Sequence, residues 1–238
     1  MLNSLVSKAR KAIDDFNLIN ENDKIAVGLS GGKDSLTLLS ILASLQRFYP
    51  KKFELCAITV DMGFPDTDKK RLEALTELCN SLKMPHYIEK TEIADIIFNI
   101  RKEKNPCSLC AKMRRGALNN LALSKGFDKL ALGHHKDDLN ETFFLSLFYE
   151  SRINSFKPMS FMDKSGVTLI RPMLYITEKE IAAFAKDLPV LHNPCPANKN
   201  TRREYVKKLL SDLEKDMPFV NNRINAAILK YFEGISNR

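Results

Sequence analysis

Lys24-Ile25-Ala26-Val27-Gly28-Leu29 runs without a break into Ser30-Gly31-Gly32-Lys33-Asp34-Ser35, and Leu36, Leu38, Leu39 and Leu42 follow at helical spacing. A short apolar run, a glycine pair and an amphipathic pattern, in that order, read as strand, tight turn and helix. Two adjacent glycines let the backbone turn sharply and bring successive N–H groups at a helix N-terminus close to a ligand. Ser30 and Ser35 add hydroxyl donors, and Lys33 adds charge if it turns inward. The site suits a pyrophosphate. The same string also suits an ordinary turn in which Asp34 and Ser35 cap the helix. It is not a Walker A loop, because Val27 stands where the first glycine belongs and Asp34 where Ser or Thr belongs.

Outward from this turn the alternation repeats. Strands are expected over 53–60, 85–89 and 129–133, and helices over 68–82, 92–100, a segment ending near 124, and 137–148. Leu2, Leu5, Val6, Ala9, Ile13 and Phe16 predict an amphipathic first helix packed on the domain. The fold class is therefore α/β, a parallel sheet with helices on both faces and ligands at the carboxyl ends of its strands. After Glu150 the rhythm breaks into a stretch expected to be irregular, with Pro158, Gly166 and Pro172. A helix over 181–186, a proline-punctuated loop over 189–196 and helices over 202–213 and 219–232 complete the chain. The organisation expected is an N-terminal helix at 1–20, an α/β domain at 21–187 and a small helical C-terminal extension at 188–238 that carries Cys195.

The chain has 238 residues, 44% of them hydrophobic, which provides a full domain core plus an appendage and excludes disordered and collagen-like classes. No apolar stretch approaches the ~18 residues that cross a bilayer. The charged first segment, with Lys8, Arg10, Lys11, Asp14 and Asp15, does not read as a secretory leader. A soluble cytoplasmic protein with no membrane association is expected. With 37 Lys and Arg against 29 Asp and Glu, the net charge of +8 points to a polyanionic partner or to a solvated lysine-rich face.

Five cysteines form no obvious disulfide framework. Cys56 and Cys79 read as small core residues. Cys107-Ser108-Leu109-Cys110 places two thiols on one face of a helix start, with Lys112, Arg114 and Arg115 near enough to favour thiolates. Cys195 sits in His192-Asn193-Pro194-Cys195-Pro196. With His192 the three cysteines make a four-ligand zinc set. Alone they make a three-thiolate set for a four-iron, four-sulfur cluster with one iron free for exogenous sulfide. Gly133-His134-His135-Lys136-Asp137-Asp138 follows the last expected strand, where the two aspartates suit a helix cap and the histidines suit the surface.

Taken together, Ser30 to Ser35, C-S-L-C-x-x-x-R-R-G from Cys107, G-H-H-K-D-D-x-x-E-T-F-F-L from Gly133, I-R-P-M-x-Y from Ile170 and the later Pro194-Cys195 resemble the tRNA 2-thiocytidine synthetase family. The Ser30 to Ser35 string is similar to the PP-loop of the Rossmann-like ATP pyrophosphatases, which holds the pyrophosphate part of ATP. The resemblance spans about residues 20–215. It implies an enzyme that adenylates a cytidine of the tRNA anticodon loop with ATP and replaces the C2 oxygen by sulfur. It assigns Ser30, Gly31, Gly32, Lys33, Asp34 and Ser35 to ATP, with Asp61 and Gly133 beside them, and Asp34 to Mg²⁺ with the phosphates. Cys107, Cys110 and Cys195 match the cluster ligands, with Zn²⁺ as the alternative metal. Asp137 or Asp138 is expected to orient the base or metal, and Arg114 to offset charge on the α-phosphate. Arg202, Arg203, Lys207 and Lys208 are expected phosphate contacts to RNA. The expected partners are tRNA and a sulfur donor, either sulfide or a cysteine desulfurase system, with a homodimer as a further expectation. Cys195 is followed by Pro196-Ala197-Asn198 rather than by a second C-x-x-C, a departure from the family pattern that leaves the three-cysteine set intact. The competing classes are uridine thiolation or lysidine-type ligation on the same fold, a zinc-stabilised RNA-binding module without catalysis, and an electron-transfer protein.

Overall fold

The computed structural model describes residues 1–64, 69–103, 106–191, 195 and 201–236. The elements in order are α1 (Leu2–Asp15), β1 (Asp23–Gly28), α2 (Lys33–Leu45), β2 (Phe53–Asp61), α3 (Lys69–Ser81), β3 (His86–Lys90) and a short α4 (Ile93–Asp95). α4 continues as a π-helical turn over Ile96–Ile100. Then come α5 (Pro106–Ser124), β4 (Lys129–Ala131), α6 (Lys136–Glu150), β5 (Met159–Met162), β6 (Val167–Ile170), α7 (Glu178–Phe184), α8 (Thr201–Asp216) and α9 (Val220–Ser236). Asp68, the first residue expected in α3, and His192 lie outside the described residues.

The strands form one sheet in the order β3-β2-β1-β4-β6-β5. β1 pairs in parallel with β2 and with β4, so that Val27 sits between Ala57 and Ala131. β2 with β3 and β4 with β6 are parallel too, and the edge strand β5 runs antiparallel to β6. The inner strands are apolar on both faces, as a doubly covered sheet requires. Ile25, Val27, Leu55 and Ala57 join a core with α1, α2 and α7, whereas Ala26, Cys56 and Ile58 join Leu121, Ala122 and Phe127 at the end of α5 on the other face. From β1 the chain winds outward to β2 and β3, then returns to β4 on the opposite side. This reversal opens a crevice at the carboxyl ends of β1 and β4.

One expectation is corrected. The stretch after Glu150 is not irregular throughout, because residues 159–170 form the β5–β6 hairpin that extends the sheet. Its turn places Gly166 at φ +69°, and the N–H groups of Ser165 and Gly166 both donate to the Met162 carbonyl. Each strand is four residues long, and Met159 and Phe161 point outward on the edge, too short an apolar alternation to separate from loop. α9 and the chain near Leu174 bury Ile228, Leu229 and Phe232 against Leu139 of α6. Among the described residues no helix is long and apolar enough to cross a membrane.

Candidate active site

A cleft of about 400 Å³ opens where the sheet reverses. Ser30, Gly32, Asp34 and Ser35 from the first turn line it, with Asp61 at the end of β2, Arg114 of α5, and Gly133, His134 and Asp138 around the start of α6. Most of the expected nucleotide set is therefore gathered in one place, together with two of the three expected catalytic residues. Gly31, Lys33 and Asp137 do not line it.

The turn is held by its own hydroxyls. Ser35 Oγ accepts from the Ser30 N–H at 3.2 Å and donates to the Gly32 carbonyl at 3.0 Å, while Ser30 Oγ lies 3.1 Å from Ser35 Oγ and accepts from the Gly32 N–H. Gly31 has φ +79°, a conformation that costs a residue with a Cβ. A Cβ there would also meet Leu191 at 2.5 Å, because the Leu191 N–H donates to the Gly31 carbonyl and straps the segment after α7 across the turn. Gly133 serves packing as well. A Cβ on it would lie 3.0 Å from the Asp34 carbonyl carbon and 3.2 Å from the Ser35 nitrogen, so the end of β4 and the start of α2 touch backbone to backbone. Lys33 turns to carboxylates, 2.9 Å from Asp34 and 3.3 Å from Glu178, and these partners raise its pKa against the opposing effect of burial.

The second motif folds differently from the surface reading. His135 is buried and is itself the N-cap of α6, its Nδ1 accepting from the Asp138 N–H while Asp138 accepts from the His135 N–H. An accepting Nδ1 assigns the proton to Nε2, which faces Asp138 at 3.3 Å and Asp34 at 3.8 Å. Asp137 turns away and accepts from the Glu178 N–H at 2.7 Å, capping α7 rather than its own helix. His134 stacks on Phe156 with ring centroids 4.8 Å apart, and its Nδ1 is buried without a hydrogen-bond partner. Burial, aided by the nearby Arg171 charge, holds its pKa down at about 4. Arg171 lies over the same Phe156 ring, donates to the Lys157 carbonyl, and is pushed down to about 10 by burial.

Residues 1–213 match the PP-loop domain family. The chain belongs to that family. Over 226 residues it is 40% identical to the tRNA-cytidine(32) 2-sulfurtransferase of Geobacter sulfurreducens, covering 92% of this chain and 86% of that one. Over 224 residues it is 42% identical to the protein of the same name from Syntrophotalea carbinolica, covering 92% and 85%. Among solved structures it is similar to the U34-tRNA thiolase NcsA from Methanococcus maripaludis with its [4Fe-4S] cluster, at a TM-score of 0.76 and 27% identity over 96% of this chain and 77% of that one.

In this PP-loop protein the cysteines lie beside the cleft. Cys107 and Cys110 occupy the first turn of α5, and Arg114, one turn after Cys110, reaches the cleft lining. Cys107 is exposed, whereas Cys110 and Cys195 are half-buried. Burial raises the Cys110 thiol pKa, the Arg114 charge opposes this, and the charges of Cys195 and Cys107 add to the rise. Cys195, remote in sequence, is thus near enough to Cys110 for its charge to act on that thiol. Arg114 favours the Cys110 thiolate as expected, but burial outweighs it. Among the described residues no group of three or more His, Cys, Asp or Glu is drawn together closely enough to hold a metal ion.

The four expected RNA contacts divide. Arg203 donates to Glu141 at 2.6 Å and pairs with Asp138, and Lys207 pairs with Glu178. Arg202 and Lys208 are exposed on the other face of α8. Glu178, which holds Lys33, Lys207 and Asp137 at once, was not among the expected site residues. Its only sequence signal is the capping box Thr177 to Glu180 that starts α7.

Proposed function

We propose that this protein is an ATP-dependent tRNA sulfurtransferase that replaces the C2 oxygen of a cytidine with sulfur. One observation carries the reading. The C-x-x-C pair lies one turn of α5 from Arg114 on the cleft wall, and Cys195 comes four residues after Leu191, which packs on Gly31 of the same cleft's turn. Cytidine is favoured over uridine because the relatives named for cytidine are 40% and 42% identical, against 27% for the uridine thiolase.

The Ser30 to Ser35 turn and the N-terminus of α2 present N–H and hydroxyl donors to the β- and γ-phosphates of ATP. Asp34 and Asp61, both on the cleft wall, supply carboxylates for Mg²⁺. The base oxygen attacks the α-phosphorus, an O–P bond forms, the bond to the bridging oxygen breaks and pyrophosphate leaves. Arg114 stands where charge builds on the α-phosphate, and Asp138, held by His135 and Arg203, orients the base. A sulfur nucleophile then adds at C2 and expels AMP, a far better leaving group than the original oxygen.

A four-iron cluster is favoured over zinc because three cysteines are one ligand short of a closed zinc site, and because the solved uridine thiolase similar to this chain carries a [4Fe-4S] cluster. Cys107, Cys110 and Cys195 would hold such a cluster, which would supply a site for the incoming sulfur. The sulfur donor is free sulfide, or the persulfide of a cysteine desulfurase system from which a thiol reductant releases sulfide. Arg202 and Lys208 contact the RNA backbone.

The test is an anaerobic preparation assayed for iron and zinc, then incubated with ATP, Mg²⁺, sulfide and unmodified tRNA, with nucleoside analysis for 2-thiocytidine and quantitation of AMP and pyrophosphate. Single Cys-to-Ser variants at 107, 110 and 195 are expected to lose both iron and thiolation. Full activity in those variants, or a zinc protein without ATP turnover, would sink the reading.

A further inference from the structure

The C-terminal half of α6 breaks the rule that apolar side chains face inward. Leu147, Phe148 and Tyr149 are exposed there, with Ile153 just beyond the helix. Phe148 stacks on Phe144 at 5.4 Å, and the Arg202 guanidinium lies 4.8 Å above the Tyr149 ring. Arg202 starts a stripe along the outer face of α8. Tyr205, 60% exposed, and Lys208 follow it at three-residue spacing, while Val206 and Leu210 on the inner face are buried. The inner cations Arg203 and Lys207 are tied to carboxylates of this chain. Arg152 is exposed beyond the αL cap of α6, and Glu150 and Glu204 are the exposed acids of the patch.

We propose that Phe148, Tyr149 and Tyr205, with Arg202 and Lys208, form a stacking platform for unpaired bases of the substrate RNA that flank the reacting nucleotide. This rests on the tRNA reading above. Exposed rings interleaved with outward cations are the combination that single-stranded nucleic acid selects, because each ring accepts a base face and each cation a phosphate. A duplex has no free base faces to offer. A guanidinium already stacked on Tyr149 extends the flat surface rather than competing for it. The position fits as well. From Asp138 at the cleft to Tyr149 the rise of ~1.5 Å per residue gives about 16 Å, a span of a few nucleotides, so that a loop with one base in the cleft lays its neighbours along α6. The opposite charge of RNA also favours it over a second copy of this +8 chain.

The experiment measures affinity of the full-length protein for an unmodified anticodon stem-loop carrying 2-aminopurine at successive loop positions. Tyr149→Ala is expected to weaken binding roughly tenfold and to abolish the quenching of at least one probe beside the target base, with the salt dependence unchanged. Tyr149→Phe is expected to restore both. Lys208→Ala is expected to lower the salt slope by about one while leaving quenching intact. Unchanged affinity and quenching in Tyr149→Ala, with an unchanged melting temperature, would overturn the platform. So would a concentration-dependent dimer that Tyr149→Ala dissociates, since the patch would then be a self-interface. Stem-loop binding is read without thiolation, so a protein that binds RNA here but makes no 2-thiocytidine refutes the catalytic reading and leaves the platform standing.

Discussion

Gly133→Ala probes how tightly the end of β4 is pressed against the nucleotide turn. The added Cβ would sit 3.0 Å from the Asp34 carbonyl carbon, 3.1 Å from its oxygen and 3.2 Å from the Ser35 nitrogen. All three are backbone atoms, so no side chain can rotate away. Relief requires the first turn of α2 to retreat by a few tenths of an ångström, and α2 is pinned by the fully buried Leu36, Leu38, Leu39 and Leu42. Overpacking of this kind costs roughly 1–3 kcal/mol. At ~2–4 °C per kcal/mol for a chain of this size, the melting temperature should fall by about 2–12 °C. If the displaced atoms donate to the phosphates as proposed, ATP affinity should fall roughly tenfold as well. Gly116→Ala is the matched control, since a Cβ in that part of α5 meets nothing within 4 Å and should stabilise by about 0.5–1 kcal/mol. Thermal unfolding and equilibrium binding of a fluorescent ATP analogue read both variants. Wild-type melting and wild-type nucleotide affinity in Gly133→Ala would refute the backbone contact.

Arg203→Ala should destabilise by roughly 2–3 kcal/mol in urea titration, because it strands the buried Glu141 carboxylate, the usual cost being discounted for the partial exposure of Arg203. Adding Glu141→Gln should recover much of that loss, as no charge is then left buried. His134 takes up a proton near 6.5 when unfolded and near 4 when folded. Its contribution is therefore fully present above pH 6.5 and is lost as pH falls toward 4, by up to about 3 kcal/mol. His134→Phe should flatten that part of the stability profile, and an unchanged slope between pH 6.5 and 4 would show that another group carries it.

The βα alternation was readable because β1 and β2 are buried on both faces, and their continuous apolar runs cannot be mistaken for surface. The β5–β6 hairpin escaped because four-residue strands with Met159 and Phe161 facing out carry almost no periodicity. Its turn signal, Asp163 to Gly166, was present in the sequence. Within the site, the positions of Asp34 and Asp61 follow from helix and strand ends, and that of Arg114 from its spacing one turn after Cys110 along α5. The direction of Lys33, Asp137 and Arg203 does not. Each is claimed by a carboxylate or an N–H from an element distant in sequence, as when Asp137 caps a helix that begins at Glu178. Residue type fixes what a side chain can bond, but only the tertiary fold decides which of several suitable partners arrives.

Glu178 shows what that selection does for the site. Its two carboxylate oxygens hold Lys33 and Lys207, while its N–H is held by Asp137. The phosphate turn, the start of α6 and the helix that follows Cys195 are thus tied to one residue at the N-terminus of α7. Lys33 is drawn out of the cleft lining in this arrangement, and a polyphosphate entering the turn must compete with Glu178 and Asp34 for its ammonium group. A polyphosphate, with several negative charges against one on each carboxylate, would win that competition at the start of α2, where the helix dipole adds to its attraction. The Glu178 carboxylate would then hold Lys207 alone, so nucleotide binding would loosen the link between the turn and α8.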